Sequence, residues 1–214
     1  MSDKKPYKVM VVEDQSLTRE FFSMIIEKSL DYDLLYSVES ASVAKMYADR
    51  YDIDLIIMDV IMDDGSNGLI EAERIKKSHP DIRIIIVTSM PEVSFLEQAR
   101  AIGVDSFWYK KGVASGESLL DVMDRTMQGI SVYPSETPVM MLGDCKSTEF
   151  TDAELKVLRE LTKGLSNQEI GAELYVSAAT VKTHISSMLQ KTGFSNRTEL
   201  AIKARVSGLV ISNE

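Results

Sequence analysis

Short apolar runs alternate with segments of helical spacing through the first 129 residues. Each run holds four or five residues, almost all of them apolar, and ends at polar side chains. Runs that are apolar on both faces and separated by helices predict parallel strands covered on both sides. The predicted strands span residues 8–12, 34–38, 55–58, 83–87 and 106–109. The pattern therefore predicts an α/β domain with a five-stranded parallel sheet.

The segments between these runs carry the start signals of helices. Ser16 and Ser40 stand where a side chain can cap a helix, and Pro91 suits the first turn of another. Two further helices are predicted over about 69–78 and 115–128. Each predicted strand is thus followed by a helix.

The pattern changes after residue 129. Residues 130–148 show no sustained period, and we interpret them as a linker. Thr151 and Glu154 then have the spacing of a capping box, and everything after them is helical, with predicted helices at about 152–163, 167–174, 178–192 and 197–207. The predicted domains are 1–129 and 149–214.

Charge and composition change this picture little. A single cysteine excludes an intrachain disulfide, which fits a reducing compartment. No stretch approaches 18 apolar residues, so we expect no membrane span, no signal peptide and a cytoplasmic protein. The net charge of −9 argues weakly against nucleic-acid binding. Residues 177–192, however, contain Lys182 and Lys191 and no acid, and charge acts locally, within about 8 Å at physiological salt.

Polar side chains stand where the predicted strands end. The carboxyl ends of parallel strands share one edge of a sheet, where such domains bind ligands. The residues at these ends are Glu13, Asp14, Asp59, Thr88 and Lys110. We therefore expect them to converge on one crevice.

Three carboxylates in one crevice repel one another, and a hard divalent cation such as Mg²⁺ relieves that repulsion. With the cation and Lys110 beside it, an Asp59 oxygen can attack phosphorus and form an aspartyl-phosphate. Thr88 can donate its hydroxyl to the product phosphate. Each of these residues is common without any such function; the hypothesis rests on all of them ending successive strands in the right order.

Residues 7–129 resemble the receiver domain of bacterial two-component response regulators, which has a flavodoxin-like fold. The matching segments are Val12-Glu13-Asp14, Met58-Asp59-Val60, Val87-Thr88-Ser89 and Phe107-Trp108-Tyr109-Lys110. The resemblance implies that Asp59 accepts phosphate from a sensor histidine kinase. It implies that Glu13, Asp14, Asp59 and the backbone carbonyl of Ile61 hold Mg²⁺. It also implies that Thr88 is a hydroxyl switch and that Phe107 turns inward on phosphorylation.

The chain departs from the receiver pattern in two places. Residues 61–68 lack the family's proline, and this loop is one residue longer and more acidic because of Asp63 and Asp64. Lys111 follows Lys110 where the family commonly has a proline in a cis bond. These differences concern the geometry around the site rather than its chemistry.

Residues 149–211 resemble the LuxR-type helix-turn-helix domain. The segments that carry the resemblance are Gly164–Ile170, Val176-Ser177, Thr180–His184, Lys191–Phe194 and Arg197–Ala201. By resemblance, base-edge contacts fall on Lys182, Thr183 and Ser186, and phosphate contacts on Ser177, Thr180, His184 and Lys191. The last helix, 197–207, would serve dimerisation. The alternative for His184 is a solvated or packed helical residue, and the alternative for Arg197 is an ion pair or cap within the domain.

Together the two resemblances point to response regulators of the NarL/FixJ subfamily. They imply a transcription factor rather than an enzyme, controlled by phosphorylation. The implied partners are a sensor histidine kinase, double-stranded DNA, a second copy of the chain when phosphorylated, and RNA polymerase. The implied cofactor is Mg²⁺.

Three other functions would each need a different sequence. A metal-dependent aspartyl-phosphate hydrolase would carry a second Asp where Ile61 stands. A flavodoxin-like nucleotide binder would need a glycine-rich phosphate loop in place of residues 13–16. A regulator independent of phosphorylation would use the receiver fold only to dimerise, but it would not need the intact Asp59, Thr88 and Lys110.

Overall fold

The structure is a computed structural model that describes residues 5–90, 92–110, 118–135, 139–207 and 209. The chain divides into two compact units, one within residues 1–136 and the other comprising mainly residues 137–214. Pro91, Lys111 and Ser115, on which predictions were placed, lie outside the described residues. Among the described residues, no helix is long and apolar enough to cross a membrane.

The first unit is a parallel sheet with helices between its strands, which confirms the predicted α/β fold. The strands pair in the order β2-β1-β3-β4-β5. Their bounds are β1 Tyr7–Val12, β2 Tyr32–Val38, β3 Leu55–Asp59, β4 Arg83–Thr88 and β5 Ser106–Tyr109. The helices are α1 Ser16–Glu27, α2 Ala44–Arg50, α3 Gly68–Ser78, α4 Val93–Ala101 and α5 Leu119–Met127.

The apolar strand runs are buried because helices cover both faces of the sheet. Residues Leu55 to Met58 in β3 are all inaccessible to solvent. Alternate residues along a strand point to opposite faces, so Leu55 and Ile57 pack into the cluster with Phe22 and Trp108. Phe107 lies next to Trp108 in the chain and points to the opposite face.

Two helix starts differ from the sequence prediction. Gln15, not Ser16, is the N-cap of α1, and its side chain does not bond the helix backbone; Ser16 is already helical. The last helix of this unit begins at Leu119, where Ser118 forms a capping box with Asp121. Ser40 caps as predicted, accepting from the Ser42 amide at the start of a short 3₁₀ turn, Ala41–Val43.

The second unit contains a small hairpin and helices. The hairpin strands are β6 Met141–Leu142 and β7 Cys145–Lys146, and the helices are α6 Asp152–Thr162, α7 Asn167–Glu173, α8 Ala178–Thr192 and α9 Arg197–Ser207. Thr151 and Glu154 form the predicted capping box of α6. Val181, Ile185 and Met188 of α8 are buried, as their spacing predicted.

The prediction of a linker over the whole of 130–148 is wrong in extent. Val132 is buried in the first unit and its carbonyl accepts from the Phe107 amide at 2.8 Å. The hairpin belongs to the second unit, because the Asp144 amide donates to the Thr192 carbonyl at 3.1 Å. These contacts join residues far apart in sequence, so no local period revealed them.

Candidate functional site

The strand ends of the first unit bring Glu13, Asp14 and Asp59 together, as the sequence predicted. One carboxylate oxygen of each lies within 4.8 Å of the others. Glu13 and Asp59 are buried, with 0% and 5% exposure, and Asp14 is half-buried. They meet because β1 and β3 are neighbouring strands that run in the same direction.

Lys110 reaches into this acidic cluster from the end of β5. Its Nζ lies 2.6 Å from Glu13 Oε2 and 2.6 Å from Asp59 Oδ2. The other Asp59 oxygen, Oδ1, accepts from the Val60 amide at 2.7 Å. The amide of Lys110 donates to the Thr88 carbonyl at 2.9 Å, which holds the two strand ends together.

Burial dominates the ionisation of the cluster. Burial, and next the charge of Asp59, raise the pKa of Glu13 to about 7 against the opposing effect of Lys110. Burial also raises the pKa of Asp59 and of Asp14. For Lys110, burial lowers the pKa, but the two facing carboxylates outweigh it and the pKa is raised. An added cation would stabilise the charged forms of all three acids.

Thr88 ends β4, whereas Phe107 lies within β5, where it pairs with Ile86. Both are about 1% exposed. The Phe107 ring centroid lies 5.2 Å from that of Tyr109 and 6.5 Å from that of Tyr133. The Phe107 ring is buried in this structure, and its inward turn on phosphorylation stays a prediction.

The loop after Asp59, residues 61–68, is a closed turn. Ile61 pairs with Asn67 in an antiparallel bridge, and Gly65 has a positive φ of 79° between them. Asn67 caps α3 by accepting from the amides of Leu69 and Ile70. The two ends of the loop are therefore held together by its own bridge.

Gly68, at the first position of α3, has no room for a side chain. A Cβ atom at this position would lie 1.8 Å from the Asp59 carbonyl oxygen. The helix thus begins in direct contact with the backbone of the strand-end aspartate.

In the second unit, α8 presents a polar face to solvent. Ser177 caps α8 by accepting from the Thr180 amide at 3.0 Å. The exposed residues of this face are Ser177, Thr180, Lys182, Thr183 and Ser186, and His184 is half-buried. The turn before α8 contains Tyr175, whose φ of 56° is left-handed and whose side chain is 96% exposed.

Lys191 and Ser187 of α8 both contact a buried carboxylate of α6. Lys191 Nζ lies 2.6 Å from Glu154 Oε2 and donates to the Glu149 carbonyl at 2.8 Å. Ser187 donates to Glu154 Oε1 at 2.7 Å. Glu154 is only 3% exposed, so these contacts satisfy a buried carboxylate.

Arg197 also makes hydrogen bonds within the second unit. Its guanidinium donates to the Leu165 carbonyl at 2.6 Å and to Asn167 Oδ1 at 2.9 Å. Of the two roles that the sequence left open for Arg197, the structure favours the internal one.

Two residues that touch the acidic site were missed by the sequence analysis. Arg19 donates to the carbonyls of Glu13 and Asp14 at 2.8 and 3.0 Å. The amide of Asp63 donates to Asp14 Oδ2 at 2.6 Å. No spacing rule points to these contacts, because a backbone amide and a helix arginine carry no specific motif.

Both units match known families. The family model described as "Response regulator receiver domain" matches residues 9–124. The model described as "Bacterial regulatory proteins, luxR family" matches residues 148–204. The chain belongs to the response regulator family. The combination of a receiver with a LuxR-type DNA-binding domain makes it a phosphorylation-controlled transcription regulator.

Relatives match the chain over nearly its whole length. The response regulator protein VraR of Staphylococcus saprophyticus is 31% identical over 210 residues, covering 96% of this chain and 99% of that protein. VraR of Staphylococcus aureus is 32% identical over 208 residues, covering 95% and 98%.

Solved structures share the fold. A structure of the Salmonella typhimurium response regulator RcsB has a TM-score of 0.55 at 17% identity and covers 95% of this chain and all of that one. An RcsB–DNA complex has a TM-score of 0.55 at 18% identity, covering 96% and 100%. At these identities the likeness concerns the fold.

Proposed function

We propose that Asp59 is the phosphoacceptor of this regulator. The observation that carries the proposal is the strand-end geometry, in which Asp59 lies beside Lys110 and within 4.8 Å of two further acids. An Asp59 oxygen would attack the phosphorus of a phosphohistidine on a sensor histidine kinase. The P–O bond forms as the P–N bond to the imidazole breaks, and Lys110 offsets the added negative charge.

The cation proposed for this site is Mg²⁺, because its ligands are hard oxygens and the cluster holds three carboxylates. Glu13, Asp14, Asp59 and the Ile61 carbonyl are the proposed ligands. When bound, the ion would neutralise charge on the phosphoryl oxygens. Thr88 and Phe107, both buried, are the proposed elements that respond to phosphate.

The test of the phosphoacceptor is the variant Asp59→Asn. The full chain is incubated with acetyl phosphate and Mg²⁺ and resolved on a phosphate-affinity gel. We expect a retarded band for the wild type and none for the variant, because the amide is not a nucleophile toward phosphorus. Uptake of phosphate by Asp59→Asn at the wild-type level would show that the acceptor is another residue.

For the second unit we propose that α8 enters the major groove of double-stranded DNA. Its exposed face is small, polar and carries Lys182, which suits base edges and phosphates. Lys182, Thr183 and Ser186 are proposed for base contacts, and Ser177, Thr180 and His184 for phosphate contacts. Lys191, which was expected to contact phosphate, is instead assigned to hold Glu154.

The remaining proposals concern domains and partners. We place the receiver within residues 1–135 and the DNA-binding domain from about residue 139, with the linker between them. A second copy of the chain would join through α9 or the receiver after phosphorylation, and RNA polymerase is a further partner. The cytoplasm is the compartment in which such a protein meets both DNA and its kinase.

A further inference from the structure

The connection between β2 and α2 lies beside both loops that carry the acidic site. We name its first two residues, Glu39 and Ser40, the brace. On one side, Glu39 Oε1 accepts from Arg19 Nη2 at 2.7 Å. Arg19 Nη1 in turn donates to the carbonyls of Glu13 and Asp14 at 2.8 and 3.0 Å. The brace therefore orients the arginine that holds the backbone of two acids.

On its other side the brace holds the loop of residues 61–68. Ser40 Oγ is hydrogen-bonded to Asp64 Oδ2. Asp64 Oδ1 accepts from the Ser66 amide at 2.9 Å, and Ser66 Oγ accepts from the Ala41 amide at 3.1 Å. Three hydrogen bonds thus fix the tip of a loop that is otherwise exposed.

The loop held in this way touches an acid of the cluster. The Asp63 amide donates to Asp14 Oδ2 at 2.6 Å, which fixes the orientation of that carboxylate. The same loop carries the carbonyl of Ile61. Hydrogen bonds that orient a ligand group are a main determinant of metal affinity, because an unfixed carboxylate must be ordered when the ion binds.

We propose that Asp64 is a positioning residue for the cation of this site, and that it acts through the brace and the Asp63 amide. The inference rests on the proposed cation site. Asp64 is not a proposed ligand: its carboxylate is directed to Ser40 and Ser66, and the residue is exposed. Its two hydrogen-bonding oxygens hold the loop in the position from which Asp63 meets Asp14.

The experiment is calorimetric titration of the unphosphorylated full chain with MgCl₂, which needs no activity. We expect Asp64→Ala to weaken Mg²⁺ binding roughly tenfold, as is typical when a group that orients a ligand is removed. Asp64→Asn should retain most of the affinity, since an amide oxygen still accepts from the Ser66 amide. Glu73→Ala, which removes a carboxylate paired with Lys77 on α3 and changes the net charge as Asp64→Ala does, is the matched control and should bind as the wild type.

Ser40→Ala is an independent test, because it removes the hydrogen bond between the brace and Asp64 and changes no charge. A weaker Mg²⁺ affinity in both Asp64→Ala and Ser40→Ala, with thermal unfolding still cooperative, supports the proposal. Wild-type affinity in either folded variant overturns it, as does an equal loss in Asp64→Ala and Asp64→Asn, which would indicate a simple charge effect. Absence of Mg²⁺ binding by the wild type would overturn the cation site itself and this inference with it.

Discussion

At the scale of single residues, Lys110 is bonded to two buried acids. Its Nζ lies 2.6 Å from Glu13 Oε2 and 2.6 Å from Asp59 Oδ2. One positive charge cannot balance Glu13 and Asp59 together with the nearby Asp14. Burial raises the pKa of all three acids, and for Glu13 it does so up to about 7. The site is therefore short of positive charge, which is the physical reason to expect a cation there.

The shortage of positive charge at this site should affect how the free energy of unfolding depends on pH. Glu13 in the folded chain has a pKa of about 7, above its ordinary 4.5, so the folded protein binds the proton more tightly than the unfolded chain does. Its contribution is present at low pH and is lost as the pH rises from about 4.5 through 7.

We expect urea denaturation without Mg²⁺ to show wild-type stability falling over this interval more steeply than that of Glu13→Gln. Exposed Glu27 supplies the control Glu27→Gln, which should follow the wild type. Parallel curves for Glu13→Gln and the wild type would mean that Glu13 is ionised throughout the interval.

Tyr175 is a second residue whose conformation has a measurable consequence. Its φ of 56° is left-handed, and a 96% exposed ring gains nothing from packing that would offset the strain. Tyr175→Gly should therefore raise the free energy of unfolding by up to about 1 kcal/mol. Chemical denaturation measures it. Lys163→Gly is the control: Lys163, at the C-cap of α6, has a right-handed φ of −77°, so glycine there relieves no strain and should lower the free energy of unfolding.

At the scale of elements, the two lysines of α8 have different roles. Lys182 is exposed on the polar face, whereas Lys191 is bonded to Glu154 at the start of α6. Burial would raise the pKa of Glu154, but the hydrogen bonds from Lys191, the Thr151 amide and Ser187 outweigh it and hold the pKa at about 2. That stability is present above the ordinary pKa of 4.5 and is lost as the pH falls toward 2.

Two variants separate these roles. Lys182→Met should leave thermal unfolding unchanged, weaken DNA binding, and reduce the slope of log K against log salt by about 1. Lys191→Met should lower the free energy of unfolding by about 2 kcal/mol, because it leaves Glu154 buried without its cation. Fluorescence-anisotropy titrations at several salt concentrations and chemical denaturation measure both effects. If Lys191→Met instead reduced the slope of log K against log salt and left the free energy of unfolding unchanged, Lys191 would be a DNA contact.

At the scale of the whole molecule, charge limits DNA binding by a single chain. The net charge is −9, and Lys182 is the only lysine on the exposed face of α8 in the described chain. Few phosphate contacts give weak binding with a shallow salt dependence. Two copies on two half-sites would supply the missing affinity.

Phosphorylation should therefore act on DNA binding through assembly. With acetyl phosphate and Mg²⁺, the wild-type chain should sediment as a dimer and protect two half-sites about 10 base pairs apart, one helical turn. Asp59→Asn should stay at its unphosphorylated mass and affinity. A wild-type monomer that binds one half-site equally well before and after phosphorylation would contradict control by dimerisation.

Much of the fold could be predicted from local pattern. The apolar runs of β1 to β5, the capping box of Thr151 with Glu154 and the buried face of α8 are properties of neighbouring residues, so periodicity reveals them. The convergence of Glu13, Asp14, Asp59 and Lys110 was also predictable, because parallel strands bring their carboxyl ends to one edge. The β6–β7 hairpin was not, since its contacts with Thr192 are long-range.

What the sequence determined by itself is the identity of the strand-end residues and the class of chemistry that oxygen ligands and a lysine can support. Only the tertiary structure decided which lysine pairs with which carboxylate. Lys110 pairs with two acids, and Lys191, which was expected on the DNA-binding surface, pairs with Glu154. Only the tertiary structure tied Ser40 to Asp64 and Arg19 to the backbone of Glu13. The reason is physical: side-chain pairing depends on distances between elements that are remote in sequence, and local pattern does not specify those distances.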